Sequence, residues 1–365
     1  ATPLIIDTAE QVADCKLLMP DLDDKRFDWS YLTPVTPHLP STGGQLRSEL
    51  DDFVVTEIPK YLPNGNGPHA YAFVEKCGHT TQELIKCLTT SGVSIRDIGV
   101  AGRKDKYART RQWISVPSDS EQVFTALEQL NGVKILEISR HQKKLGIGNL
   151  LGNSFEIVVR NPLKDWQPRA EAILNSLREH GLPNYFGPQR FGRFNSNIID
   201  AFALLEGKNV PGGKNLHKLF MSALQSHIFN WVLKSRIDAG LYSRVLQGDW
   251  AQKHSSGGMF VVEDAAKESE RAAKLEISAA LPMYGRKVFC SQGYAGELQQ
   301  NILGHFELSP NDLRSLGIGT RRISRVRVTD SSLVPFANGY KVAFTLTKGA
   351  FATSLLRELV TPDVS

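Results

Sequence analysis

The sequence predicts an α+β fold in which a helix-rich domain interrupts a β-rich one. Three observations carry this. Short β-rich segments separated by single helices occupy the stretch from Phe53 to Arg160. From Asn195 the pattern turns helical, with apolar periodicity from Leu216 to Ile237. Strand-like alternation then returns near the C-terminal end, where it can pair with the earlier strands into one sheet. A length of 365 residues suits two domains.

The elements follow in order. The first forty residues, rich in Pro, Asp and Leu and closing on Thr33-Pro-Val-Thr-Pro-His-Leu-Pro40, read as an N-terminal extension. Phe53 to Ile58 and His69 to Lys76 flank the turn cluster Pro63-Asn-Gly-Asn-Gly-Pro68, which predicts a hairpin. Thr80 and Glu83 form a capping box for a helix carrying Leu84, Ile85 and Leu88 on one face. Strands are expected at Ile98 to Ala101, Gln112 to Val116, Val133 to Ser139 and Phe155 to Arg160. A helix then places Ala170, Ile173, Leu174 and Leu177 at i, i+3, i+4 and i+7 before Gly181 stops it. Beyond the helical region and its Ala/Glu/Lys-rich stretch Asp264 to Glu276, strands are expected at Arg325 to Thr329 and Lys341 to Thr347, with a short helix from Phe351 to Leu359.

Composition narrows the function classes. Hydrophobic residues make up 41% and charged residues 22%, enough apolar surface for a packed core and no low-complexity bias. The formal net charge of +5 permits a polyanionic partner without requiring one. Cys15, Cys77, Cys87 and Cys290 are far apart and form no C-x-x-C pair, so neither a disulfide framework nor a thiolate metal site is expected. Ala1 to Cys15 lacks the basic-then-apolar order of a signal peptide, and no uncharged apolar run nears 18 residues; a cytoplasmic protein without a membrane span is expected. His141 and His227 read as surface and core residues, and zinc-peptidase, α/β-hydrolase and P-loop signatures are missing from the sequence.

Four segments concentrate positive charge or aromatics. Arg103 to Arg111 holds five cations, Arg103, Lys104, Lys106, Arg109 and Arg111, around one carboxylate, Asp105. Neighbouring cations favour an ionised carboxyl, which suits a nucleophile or base, while the plainer reading is a solvated turn with a local ion pair. Arg140-His-Gln-Lys-Lys144 precedes the glycine-rich Gly146 to Gly152, whose spacing and loop-to-strand order fail the dinucleotide fingerprint. Gly181 to Gly192 packs three aromatics with Arg190 and reads either as a base-holding surface or as a core-lining loop. Arg321, Arg322, Arg325 and Arg327 form a late basic cluster, an RNA-facing site or a charged sheet edge.

In this order the motifs resemble the TruD family of transfer-RNA pseudouridine synthases. The resemblance runs from about Thr42 to Val360 and rests on Asp52-Phe-Val-Val-Thr-Glu57, Gly102-Arg-Lys-Asp-Lys106 with Gln112-Trp113, Arg140 to Lys144, Gly152-Asn-Ser-Phe155, Asn184 to Gly192, Ser222 to Ser226, Ala279 to Pro282 and Phe351 to Leu359. It implies a pseudouridine-synthase catalytic domain, 42–180 with 322–365, built on a mixed, largely antiparallel sheet. An inserted TRUD domain would span 181–321, after an extension at 1–41. By motif, Asp105 falls on the catalytic aspartate, Phe155 on the aromatic that stacks on the target base, Asn153 on an organising amide, and Arg47 on a position where a close relative has lysine. Phe351 joins them as substrate-binding. Arg103, Lys104, Lys106, Arg140, Lys143, Lys144 and Arg190 would grip RNA.

The implied reaction turns uridine into pseudouridine at position 13 of the tRNA D arm, with base flipping, by a monomer that needs neither cofactor nor metal. Asp105 would attack the nucleoside or remove a ribose proton, and the residues leave both routes open. The same patches suit a non-catalytic RNA-binding or RNA-chaperone protein. Glycoside or nucleoside hydrolysis would need a second positioned carboxylate, which no residue near Asp105 in the sequence supplies.

Overall fold

The computed structural model describes residues 31–192 and 195–360. Most of the N-terminal extension, the reading of its first fifteen residues and Cys15 therefore lie outside the described residues. The chain forms two compact units. One is Ser41–Leu174 with Val328–Ala352; the other comprises 175–327 with the described parts of 1–40 and 353–365. Two of the divisions fall inside the helices Trp166–His180 and Ala352–Val360 and another falls between Arg327 and Val328, so residues 175–180, 322–327 and 353–360 group with the helical unit.

The β-rich unit is built on an eight-stranded sheet. Its first six strands are β1 (Phe53–Pro59), β2 (His69–Lys76), β3 (Gly99–Val100), β4 (Arg109–Pro117), β5 (Val133–His141) and β6 (Leu150–Arg160). The order runs Val328–Phe336, Gly339–Thr347, β6, β1, β4, β2, β5, with β3 paired to β4. β1 and β4 are parallel and every other pairing is antiparallel, which gives the mixed sheet expected.

The expected hairpin of β1 and β2 does not form, because β4 lies between them and pairs with both. The connection is long enough to leave register unspecified, so pairing is decided by which faces bury rather than by the turn. The capping box is present: Thr80 Oγ1 accepts from Glu83 N at 3.1 Å and Thr80 N donates to Glu83 Oε2 at 2.6 Å, starting the helix Thr81–Thr90. Leu84 and Leu88 of that helix pack with Ala70, Ala72, Val74 and Ile114 from one sheet face. In Gly339–Thr347 the alternation is realised, with Val342, Phe344 and Leu346 buried.

The helical unit centres on the helix Lys214–Asp238, whose Phe220, Leu224, Ile228 and Phe229 are buried. It also holds a four-stranded antiparallel sheet in the order Thr320–Ile323, Ile277–Met283, Trp250–Lys253, Met259–Val261, which the sequence pattern does not announce. Ile277–Met283 is buried at all seven positions and so shows no alternation, and its neighbours are only three or four residues long.

Two aromatic and basic expectations resolve here as packing. Tyr185, Phe186 and Phe191 are buried, and Asn230 clasps Phe186 through both its backbone N–H and C=O, so this stretch lines a core. Arg325 is 1% exposed and donates to Ser278 Oγ and to the carbonyls of His180, Ala272 and Ile277. Arg322 lies 4.1 Å from the Phe186 ring centroid. The late cluster thus satisfies buried carbonyls and aromatic faces at these two positions rather than forming a charged edge. No described helix is long and apolar enough to cross a membrane.

Candidate active site

The loop Gly102-Arg-Lys-Asp-Lys106 joins β3 to β4 in the β-rich unit and is fixed from four elements. Lys76 closes the inward-facing row Ala72, Val74, Lys76 of β2, is fully buried, and donates through Nζ to the carbonyls of His79 at 2.6 Å and Asp105 at 2.7 Å. Thr81, the first residue of its helix, accepts from Lys104 N at 2.8 Å and donates to Gln112 Oε1 of β4 at 2.7 Å. Glu57 ends the inward row Phe53, Val55, Glu57 of β1 and pairs with Lys104 Nζ at 3.0 Å. Every one of these bonds holds backbone or buried side chain, and Asp105 itself remains exposed at the loop's apex.

Charge around Asp105 comes from two cations outside its own loop. Burial pushes the Lys76 ammonium down to about 8, with the Asp105 charge opposing that shift. Arg47 has φ 56° and sets its guanidinium carbon 4.8 Å from the Phe53 ring centroid. Desolvation lowers its pKa from the ordinary arginine value and the Asp105 carboxylate partly restores it.

Phe53 leads to the remaining candidates. Its ring meets Phe155 edge-on at 6.5 Å, and Phe155 stacks on Phe344 at 5.2 Å and 23°. Across the strands Phe155 sits between Val55 and Phe344, and Asn153 between Glu57 and Leu346, so all share one face of the sheet. Phe155 is only 6% exposed, with Phe344 covering one ring face. A base would therefore meet what Phe53 and Phe344 leave open. Asn153 Oδ1 is buried without a hydrogen-bond partner. Next to it Gly152 comes so close to Leu346 that a Cβ there would lie 2.1 Å from the Leu346 carbonyl oxygen. Phe351 is half-buried just before the helix Ala352–Val360.

The cations expected to grip RNA separate into two groups. Lys104 is buried in its pair with Glu57, while the half-buried Arg190 donates to Ser226 Oγ at 2.9 Å and to Ser222 Oγ. A linear charge count treats all cations alike, whereas the loop's inward position engages Lys104 with a buried carboxylate. Of the remaining five, Arg103 and Lys143 are exposed, Lys106 reaches Glu83 at 3.6 Å, Arg140 is bound to Glu121 at 3.0 Å and Lys144 to the Arg96 carbonyl at 2.5 Å. Sequence reasoning missed Glu57, Lys76 and Thr81. The first two had a signal, an apolar alternation that ends on a charged residue at an inward position.

Comparison with known proteins matches this chain to the family model described as tRNA pseudouridine synthase D (TruD), over residues 33–210 and 210–359. A tRNA pseudouridine synthase D of Thermus thermophilus is 43% identical over 327 residues, spanning 89% of this chain and 91% of the relative. That of an Anaeromyxobacter species is 40% identical over 336 residues, spanning 89% and 95%. In fold, the chain is similar to a Methanosarcina mazei crystal structure described under the same TruD designation, with TM-score 0.73 and 23% identity over 92% of this chain and 98% of that one.

Proposed function

Because the chain belongs to the TruD family of tRNA pseudouridine synthases, we propose that Asp105 is its catalytic carboxylate and that the isomerised nucleotide is uridine 13 of the tRNA D arm. The observation that carries this reading is the loop at 102–106. Four elements immobilise its backbone, while the Asp105 side chain is exposed within the electrostatic reach of Arg47 and Lys76. A carboxylate carried on a held backbone within reach of two cations is placed for a reaction in which charge shifts on a sugar.

In that reaction the N1–C1′ bond of the flipped uridine breaks, the base turns, and C5 bonds to C1′ while the C5 proton leaves to water and N1 takes up a proton from water, so that the product is an isomer of the substrate. Asp105 serves as nucleophile at the nucleoside or as base toward a ribose proton. Asn153 Oδ1 offers a buried acceptor to a uracil N–H, which would satisfy an atom otherwise unpaired. Phe155, with Phe53 and Phe344 behind it, gives an apolar wall against which the unstacked base rests. Stacking of about 1–3 kcal/mol per base largely offsets the cost of flipping. Arg103 and Lys143 hold the backbone electrostatically, and Phe351 borders the base. The β-rich unit acts as the catalytic domain and the helical unit as the inserted TRUD domain of a cytoplasmic monomer.

Mapping pseudouridines in tRNA from cells with and without this protein tests the reading. Loss of pseudouridine at position 13 alone is expected on removal; unchanged modification there refutes the target.

A further inference from the structure

We propose that a groove on the helical unit, lined by Lys214, Lys218 and Arg286, holds a segment of tRNA sugar–phosphate backbone away from the target nucleotide. The inference rests on tRNA being the substrate and extends that reading to a second binding surface. The groove has a volume of about 850 Å³ and lies between the first turns of the helix Lys214–Asp238, Arg286 and the segment Ser315 to Thr320.

Its charge is one-sided. None of its lining residues is Asp or Glu, while Lys214, Lys218 and Arg286 are all exposed. Further along the same helix the ordinary solution is seen, where Lys234 pairs with Asp238 at 2.5 Å. The helix start adds to the imbalance: no acidic residue occupies its first turn and no side chain caps it, so lysines stand at the positive end of the helix dipole. Behind Ser222, another lining residue, Arg190 donates to that hydroxyl and to Ser226 Oγ, which sets a further cation at the back of the groove. Such an arrangement costs electrostatic repulsion in the free protein and is relieved by a polyanion.

The chemistry favours backbone over base recognition. One amide N–H of Gln225 is committed to the Tyr284 carbonyl at 2.5 Å, and every charged residue lining the groove is a cation, so the groove reads charge more than base edges. Lysine point charges beside the exposed Ile318 and the glycines Gly317 and Gly319 fit phosphates with a sugar between them.

The test is a triple variant, Lys214→Gln, Lys218→Gln and Arg286→Gln, with tRNA affinity measured between about 50 and 200 mM salt. The expected result is a roughly tenfold weaker tRNA complex at the middle of that range. The slope of log affinity against log salt should become shallower by about 1 for each phosphate no longer neutralised, about 3 in all. Turnover at saturating tRNA and the unfolding midpoint should stay those of the wild type. An unchanged affinity and slope overturn the proposal, as does a variant that loses only the binding of inorganic phosphate. A wild-type protein that binds tRNA without forming pseudouridine would instead defeat the catalytic reading and leave this test standing.

Discussion

The Nζ of Lys76 lies 2.7 Å from the backbone carbonyl oxygen of Asp105, so a buried ammonium holds the loop on which the exposed carboxylate stands. The same nitrogen serves the His79 carbonyl at 2.6 Å. Three groups besides Asp105 act on its charge: Lys104 disfavours it, and Cys77 and Glu83 favour it.

A pH dependence with two opposite limbs follows. Lys76 is pushed from 10.5 down to about 8 by burial. Between those values the unfolded chain binds the proton and the folded chain does not, so this group's contribution to stability rises with pH across the window. The burial penalty, on the order of 3 kcal/mol, is fully present below pH 8. Turnover should move the other way, falling above about pH 8 as the ammonium that clamps the loop is lost. Urea unfolding and initial rates at several pH values, compared with Lys76→Met, check this. The variant should lose both the rise in stability and the fall in rate.

The buried pair of Lys104 and Glu57 should be asymmetric under mutation. Replacing Lys104 by Met leaves Glu57 buried at 3.0 Å from a missing partner and should cost about 3–5 kcal/mol, whereas replacing both by apolar residues should cost far less. A double-mutant cycle by equilibrium unfolding measures the difference. Equal losses in the single and double variants would contradict it.

Asn153 should separate stability from turnover. Its Oδ1 is buried and unpaired in the free protein, a state that costs about 1–3 kcal/mol. Asn153→Ala is therefore expected to leave the unfolding midpoint unchanged or raised while lowering kcat/KM at least about tenfold, the worth of one hydrogen bond to the base. Parallel loss of stability and activity would show a packing role alone.

Legibility of the sequence divides along physical lines. Where one face of an element is wet, the pattern is realised: the helix boxed by Thr80 and Glu83, the helix stopped at Gly181 with φ 84°, and the strand alternating Val342, Phe344 and Leu346 all form. Where burial is complete, periodicity vanishes, and Ile277–Met283 passed unread for that reason. Pairing across long loops was equally hidden, since nothing local tells β1 and β2 that β4 will separate them. At the site, the cluster around Asp105 was visible as charge, but which cations face inward is a matter of strand register. Lys104 went to the interior, and Glu57 and Lys76 emerged as the groups that fix the loop.

The most direct test of the account is tritium release from tRNA labelled at uracil C5, comparing the wild type with Asp105→Asn. Removing the charge while keeping the shape should cut release by about two to four orders of magnitude if the carboxylate is nucleophile or base, with tRNA binding nearly intact. Release by Asp105→Asn at a rate near that of the wild type would contradict the assignment of this loop as the catalytic one.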